Sequence, residues 1–309
     1  MHILITGVGG FVGSRLARRL LARGDRVSGT YFGELPGVPG VESHEANLLD
    51  SRTMNRVLRE SAPDAVVHLA GLSHVGESWP RMPEYFKVNV LGTENLLAAA
   101  AGRRVVVASS AEVYGAVPEA EQPIMEDRQI EPQTPYALTK AAAERLALAQ
   151  GAVVARSFNL VGPGQSERFA LPAFAVQLAA IASGQREPVL AVGNLTARRD
   201  FVHVDDGAAA YCLLLERGAA GQVYNVASGR AHALSEVLER LTAISGVQVR
   251  VEQDPERLRP VDLPLLLGDA RRLRALGWSP VRSLDDALAD LWREIRCRGH
   301  SEGPGGVAQ

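Results

Sequence analysis

The chain has 309 residues, 46% hydrophobic and 22% charged, with a formal net charge of −2 at pH 7. That balance describes an ordinary globular protein and gives no electrostatic reason to expect nucleic acid or an acidic membrane surface as a partner. Its length allows one large α/β unit or two coupled domains, and its two cysteines, Cys212 and Cys297, cannot build a disulfide framework.

The opening "MHILITG" lacks the basic region and long apolar core of a secretory signal. No uninterrupted apolar run approaches the roughly 18 residues that a membrane span needs. The expected compartment is therefore the cytoplasm, with reduced thiols. Short apolar runs follow one another as strand candidates: "HILIT" (2–6), "RVSGTY" (26–31), "AVVHLA" (65–70), "RVVVAS" (104–109) and "AVVARSF" (152–158). Helix candidates start between them near Phe11, Ser51, Glu84 and Pro135, and this alternation predicts a parallel sheet covered on both faces. After Asn159 the chain turns rich in proline and glycine, beginning with "LVGPGQ" (160–165). A helical "VDDGAAAYCLLLE" (204–216) and a strand-like "QVYNVAS" (222–228) are expected to return to the first sheet, with the remainder forming a smaller lobe.

Within the first turn, "ITGVGGFVG" spaces Gly7, Gly10 and Gly13 three apart, directly after a strand and at the start of a helix. This is the context in which a dinucleotide binds. Gly7 allows a tight turn, Gly10 lets the backbone approach a pyrophosphate, and Gly13 lets the helix lie close to the sheet. At the end of the second strand an acid would take a ribose 2′-hydroxyl, whereas an arginine would meet a 2′-phosphate. Here Thr30, Tyr31 and Phe32 offer neither, which favours NADP(H), or use of both NADP(H) and NAD(H). Asn47, after the third strand, reads equally as an adenine contact or as a turn residue.

Two further stretches carry chemistry. "VVVASSAEVYG" (105–115) ends a strand with two serines at the carboxyl edge of the sheet, where open α/β sheets bind ligands. "QTPYALTKAAAE" (133–144) sets Tyr136 and Lys140 four apart, on one helix face. That pair is either a surface feature or an acid/base unit in which the ammonium lowers the phenol's pKa.

Taken together, the glycine loop, the serine-ended strand and the Tyr136/Lys140 pair resemble the extended short-chain dehydrogenase/reductase family from residue 1 to about 295. The resemblance implies an α/β fold, a Rossmann-type doubly wound parallel sheet with a smaller, discontinuous α/β substrate lobe. Residues 1–162 with about 204–228 would form the NAD(P)-binding domain, and 163–203 with 229–298 the sugar-nucleotide lobe. A tail, 299–309, would be disordered. By the same resemblance Tyr136 and Lys140 are the catalytic pair and Ser110 their hydroxyl partner, with Ser109 as the fallback. It also implies that Phe11, Val12, Tyr31, Asn47, Leu48, Leu69, Ala70, Gly71 and Asn89 join the three glycines, Tyr136 and Lys140 around the cofactor.

"GLSHVGESW" (71–79), "FNLVGPGQ" (158–165), "GNLTARRDFVHVDD" (193–206) and "RPVDLPLLLGDARRLRALGWSP" (259–280) are similar to the group that acts on GDP-mannose derivatives. Ser73, His74, Ser110, Glu112, Asn159, Gly193, Asn194, Arg199 and Arg259 would then meet the substrate. The two arginines would meet its diphosphate, unless they form surface ion pairs, and Asn159 and Asn194 read equally as turn residues. Neither His74 nor His203 has a metal-ligand partner at useful spacing, so no metal is expected. Glu112 has the spacing of a dehydratase base, but similar reductases keep a glutamate there too. The expected activity is reduction of a 4-keto-6-deoxy nucleotide-sugar. A GDP-mannose-type 4,6-dehydratase and a 4-epimerase are the alternatives. A non-catalytic nucleotide sensor is disfavoured because Tyr136 and Lys140 are both present. A homodimer is expected through helices near 84–101 and 136–150.

Overall fold

The computed structural model describes residues 1–35, 37–258 and 260–301, the last three by backbone alone. Seven parallel strands form the main sheet: β1 (His2–Thr6), β2 (Arg26–Tyr31), β3 (Glu42–Glu45), β4 (Ala65–His68), β5 (Arg104–Ser110), β6 (Val153–Ser157) and, later in the chain, β10 (Val223–Val226). Their order is β10-β6-β5-β4-β1-β2-β3, so the winding reverses between β1 and β4. In doubly wound sheets that reversal opens a crevice at the carboxyl ends of the strands. β4 is buried along its whole length, as a strand covered on both faces must be.

Helices α1 (Phe11–Ala22), α2 (Ser51–Ser61), α3 (Val75–Ser78), α4 (Met82–Phe86), α5 (Gly92–Ala99) and α6 (Pro135–Ala149) connect these strands. Their starts follow local chemistry. Asp50 caps α2 by accepting from the Arg52 N–H at 3.0 Å. Thr134 caps α6 by accepting from the Ala137 N–H at 3.1 Å, with Pro135 opening the helix. A π turn, Lys87–Leu91, separates α4 from α5, where the sequence suggested one helix from Glu84.

The second half adds β7 (Asn159–Val161), α7 (Ala170–Ala182), β8 (Val189–Val192), β9 (Arg198–His203), α8 (Val204–Arg217), β11 (Ala231–Ala233), α9 (Leu234–Ser245), β12 (Arg250–Gln253), β13 (Leu265–Leu266), α10 (Arg271–Ala275) and α11 (Leu284–Ser301). β7, β9, β11 and β13 form one small sheet, and β8 pairs with β12. α7, α9 and α11 close a separate core around Phe174, Leu178, Leu241, Leu288 and Trp292.

α8 packs beside α1, and β10 joins the edge of the main sheet, as the sequence suggested. Packing crosses the expected boundaries elsewhere. β7 precedes residue 162 yet belongs to the small sheet. Leu263, Leu266, Leu273 and Trp278 lie in the core of the main sheet, and the Trp278 indole donates to the Asp206 carbonyl at 3.0 Å. α11 runs to Ser301, and the rest of the tail expected to be disordered, 302–309, lies outside the described residues.

Candidate active site

The glycine loop sits at the winding reversal. Gly7 has φ +69°, a left-handed conformation that side chains disfavour, and it turns the chain out of β1. A Cβ on Gly13 would stand 2.2 Å from the Gly7 carbonyl oxygen, so only glycine lets α1 lie this close to the strand. Gly10, the N-cap of α1, brings no side-chain cap, and Gly9 and Gly10 are exposed. Uncapped N–H groups at a helix start offer donors and a positive dipole end to a pyrophosphate, so the loop fits a dinucleotide. Phe11 and Val12 open the same helix, half-buried.

Other expected cofactor residues surround this loop. Leu69 and Ala70 donate their N–H groups to Thr6 Oγ1, each at 3.2 Å. A Cβ on Gly71 would stand 2.8 Å from Asn89 Oδ1. Asn89 is buried, and its Oδ1 accepts from the Leu72 N–H at 2.8 Å. Tyr31 ends β2, and its carbonyl accepts from the Ala46 N–H. Asn47 is exposed, with its Oδ1 turned inward to the Leu49 N–H at 2.9 Å, which makes it a turn residue whatever its amide meets. Leu48 is buried against Gly92.

At the carboxyl end of β5 the two serines part company. Strand side chains alternate between faces. Ser109 points to the α6 face and donates to Glu144 at 2.8 Å, and Glu144 also pairs with the buried Arg156. Ser110 instead lies close enough to Tyr136 for its hydroxyl to act on the phenol, and it accepts from the Glu112 N–H at 3.2 Å. The fallback serine is therefore committed elsewhere, and Ser110 stands beside the phenol. Glu112 is close enough for its charge to act on Tyr136.

Burial pushes the Tyr136 phenol above its ordinary range, opposed by the nearby Ser110 hydroxyl and reinforced by Glu112 and the Tyr211 and Tyr85 phenols. Desolvation thus works against the ionisation that the Tyr136/Lys140 spacing suggested. Lys140 is itself lowered to about 8 by burial, with the Glu144 carboxylate holding it up.

A cleft of about 580 Å³ lies between the main sheet and the lobe. His74, Asn159, Gly193, Asn194 and Arg199 all line it; Ser110, Glu112, Tyr136 and Lys140 are not among its lining residues, though Tyr136 packs with Val75 and Tyr85 beside His74. Ser73 is exposed and does not line the cleft, and Arg259 lies outside the described residues. Arg199 is buried and donates to Asp262 at 2.6 Å and to the Leu263 carbonyl at 2.6 Å, so its fork braces β9 against the next segment. Asn194 also donates to Asp262, at 2.8 Å.

His74 caps α3 by accepting from the Glu77 N–H at 3.1 Å, which leaves Nε2 to donate to the Arg168 carbonyl at 2.9 Å. His203 caps α8 in the same way through the Asp205 N–H. Sequence reasoning missed Glu77, Arg168 and Asp262. Arg168 reaches from the lobe to Glu77 at 2.9 Å across the cleft, a pairing between residues 91 apart that no local pattern announces. Among the described residues no group of three or more His, Cys, Asp or Glu is placed to hold a metal ion.

A glycine loop at the winding reversal, with Ser, Tyr and Lys gathered at the adjoining strand ends, defines a Rossmann-type protein of the extended short-chain dehydrogenase/reductase class. A family model described as GDP-mannose 4,6 dehydratase matches residues 4–291, and the chain belongs to that family. It is 36% identical to the GDP-6-deoxy-D-mannose reductase of Pseudomonas aeruginosa, across 97% of this chain and 99% of that one. The solved structure of RMD from Pseudomonas aeruginosa complexed with NADPH superposes with a TM-score of 0.85 at 36% identity, covering 96% of this chain and 99% of that one. Thermus thermophilus UDP-glucose 4-epimerase in complex with NAD gives a TM-score of 0.86 at 32% identity, with 96% and 99% covered.

Proposed function

We propose that the protein is an NAD(P)H-dependent oxidoreductase that reduces a 4-keto-6-deoxy nucleotide-sugar of the GDP-4-keto-6-deoxy-D-mannose type to the 6-deoxy sugar nucleotide. The observation that carries this reading is the Ser110 hydroxyl beside the buried Tyr136 phenol at the sheet's carboxyl edge, with Lys140 one helical turn on. The full-length similarity to a reductase of this substrate class supports it.

The glycine loop, the Leu69–Gly71 turn and Lys140 would hold the dinucleotide, which supplies a hydride when bound. Ser110 donates to the sugar's keto oxygen and fixes its position. Tyr136 delivers a proton to that oxygen as charge builds on it, and a phenol kept neutral by burial is already in the donating form. Lys140 restrains the tyrosinate left behind. The cleft would take the nucleotide and diphosphate, with Asn159, Asn194 and the Arg199 region along its wall and Arg259 as a further expected contact. Glu112 beside Tyr136 favours the 4,6-dehydratase as the second reading, and the epimerase relatives keep 4-epimerisation as the third.

The proposed compartment is the cytoplasm, consistent with a free buried thiol at Cys212. The proposed assembly is a homodimer, since Phe86, Leu91 and Leu138 leave exposed apolar surface along α4 to α6. Light scattering at micromolar concentration should give the dimer mass, and a monomer would count against this assembly. For the activity, the protein is mixed with 4-keto sugar nucleotides carrying GDP, dTDP, UDP or CDP, plus NADPH. The GDP sugar should consume one NADPH per molecule reduced. Turnover of GDP-mannose with only catalytic NADP would favour the dehydratase.

A further inference from the structure

Beneath the cofactor loops, a run of buried polar side chains crosses from β1 to α6. His68, the last residue of β4, is 3% exposed. Its Nδ1 lies 2.8 Å from Thr6 Oγ1 and its Nε2 lies 3.0 Å from Thr93 Oγ1. The neighbours decide where the protons sit. Thr6 Oγ1 already accepts from the Leu69 and Ala70 N–H groups, which fills its acceptor positions, so its hydroxyl proton goes to Nδ1. Thr93 donates to the Asn89 carbonyl at 2.6 Å, so it accepts from an Nε2–H. His68 is thus a neutral imidazole of one tautomer. Burial, with the Lys140 charge acting the same way, lowers its pKa to about 3.

Beyond Thr93 the run continues. Asn89 lies in the π turn, a local departure from the α-helix of the kind often found at functional sites. Its side chain accepts from the Leu72 N–H and donates to the Leu72 carbonyl at 3.0 Å and to Thr139 Oγ1 at 2.9 Å. Thr139 donates to the Tyr136 carbonyl at 2.7 Å. Every link has a defined donor and acceptor, and a buried network that is fully satisfied is stiff.

We propose that His68 is a positioning residue for the reaction. Locked in one tautomer, it holds the Thr6–Ala70 cofactor floor at a fixed distance from Asn89, and through Thr139 from the helix turn that carries Tyr136 and Lys140. This rests on the reading of Tyr136 and Lys140 as the reacting pair beside a bound dinucleotide.

The test uses the whole protein with Thr93→Val, which keeps the volume and removes the hydroxyl that His68 meets, and Thr93→Ser, which restores it. Measured are kcat, KM for the keto sugar nucleotide, NADPH Kd by fluorescence titration, and Tm. Thr93→Val should lower kcat about ten-fold, the effect of losing one buried hydrogen bond. It should weaken NADPH several-fold and leave sugar KM within about two-fold. Thr93→Ser should recover both kcat and Kd. Wild-type kcat and Kd in Thr93→Val would overturn the proposal. So would a loss that Thr93→Ser does not recover and that follows Tm alone. Wild-type protein inert toward every keto sugar would defeat the functional reading instead. The NADPH titration then decides this proposal by itself, and equal affinity in wild type and Thr93→Val would end it.

Discussion

The sheet edge and the cleft are built from different interactions. At the edge, Thr6, His68, Thr93, Asn89 and Thr139 are buried and joined by hydrogen bonds between uncharged groups, as far as the Tyr136 carbonyl. At the cleft the partners are charged: Arg168 with Glu77 and Arg257 with Asp254 are partly exposed, whereas Arg199, paired with Asp262, is buried. Exposed ion pairs are worth about 0–1 kcal/mol and exchange readily for a ligand's charges. Satisfied buried networks hold a geometry because breaking one link strands a buried group. Chemistry that needs fixed distances sits on the first kind of construction. Recognition of a charged, separable ligand sits on the second.

Substitutions should reproduce that split. Tyr136→Phe removes the proton donor and little else, so kcat should fall by about 10² to 10⁴-fold while NADPH Kd stays the same. A mutant near the wild-type rate would take Tyr136 out of the mechanism.

The next effect is a pH limb. Lys140, lowered to about 8, carries its charge below that value and loses it as pH rises through it. If the ammonium is needed, kcat/KM should decline above about pH 8, roughly ten-fold per unit at the steepest, with no matching unfolding. A profile flat to pH 10 would mean that the charge on Lys140 plays no part in the rate-limiting step.

The smallest effect is expected at the cleft mouth. Arg168→Ala removes an exposed pair with Glu77, so stability should change by under about 1 kcal/mol. Sugar KM should rise only a few-fold and kcat should hold. A large drop in kcat with unchanged KM would erase the distinction between the two regions.

Much of the edge was legible in the sequence because it depends on local spacing. Gly7, Gly10 and Gly13 follow a strand; Tyr136 and Lys140 share a helix face behind Pro135; Ser109 and Ser110 end β5. Even the choice between the serines was implicit, since alternate residues of a strand face opposite sides. What lay beyond reach came from long-range packing. Nothing near residues 263–278 signals that Leu266 and Trp278 return to the first core. Nothing near Arg199 announces Asp262. The Tyr136/Lys140 spacing suggested a lowered phenol pKa, but burial depends on what the fold stacks around the ring, and it moves the group the other way. His68 reads in sequence as one more apolar-strand residue until Thr6 and Thr93 are brought to its two ring nitrogens.

The central claim is that Ser110, Tyr136 and Lys140 carry out a net reduction at C4 of the sugar. The most direct measurement is the fate of deuterium from NADPH deuterated at both C4 positions of the nicotinamide, incubated with GDP-4-keto-6-deoxy-mannose and read by product NMR. The account predicts one deuterium at C4 of each product molecule, with transfer all but abolished in Tyr136→Phe. No transfer to C4 in the wild type, together with conversion of GDP-mannose to a 4-keto sugar that Glu112→Gln abolishes, would contradict it.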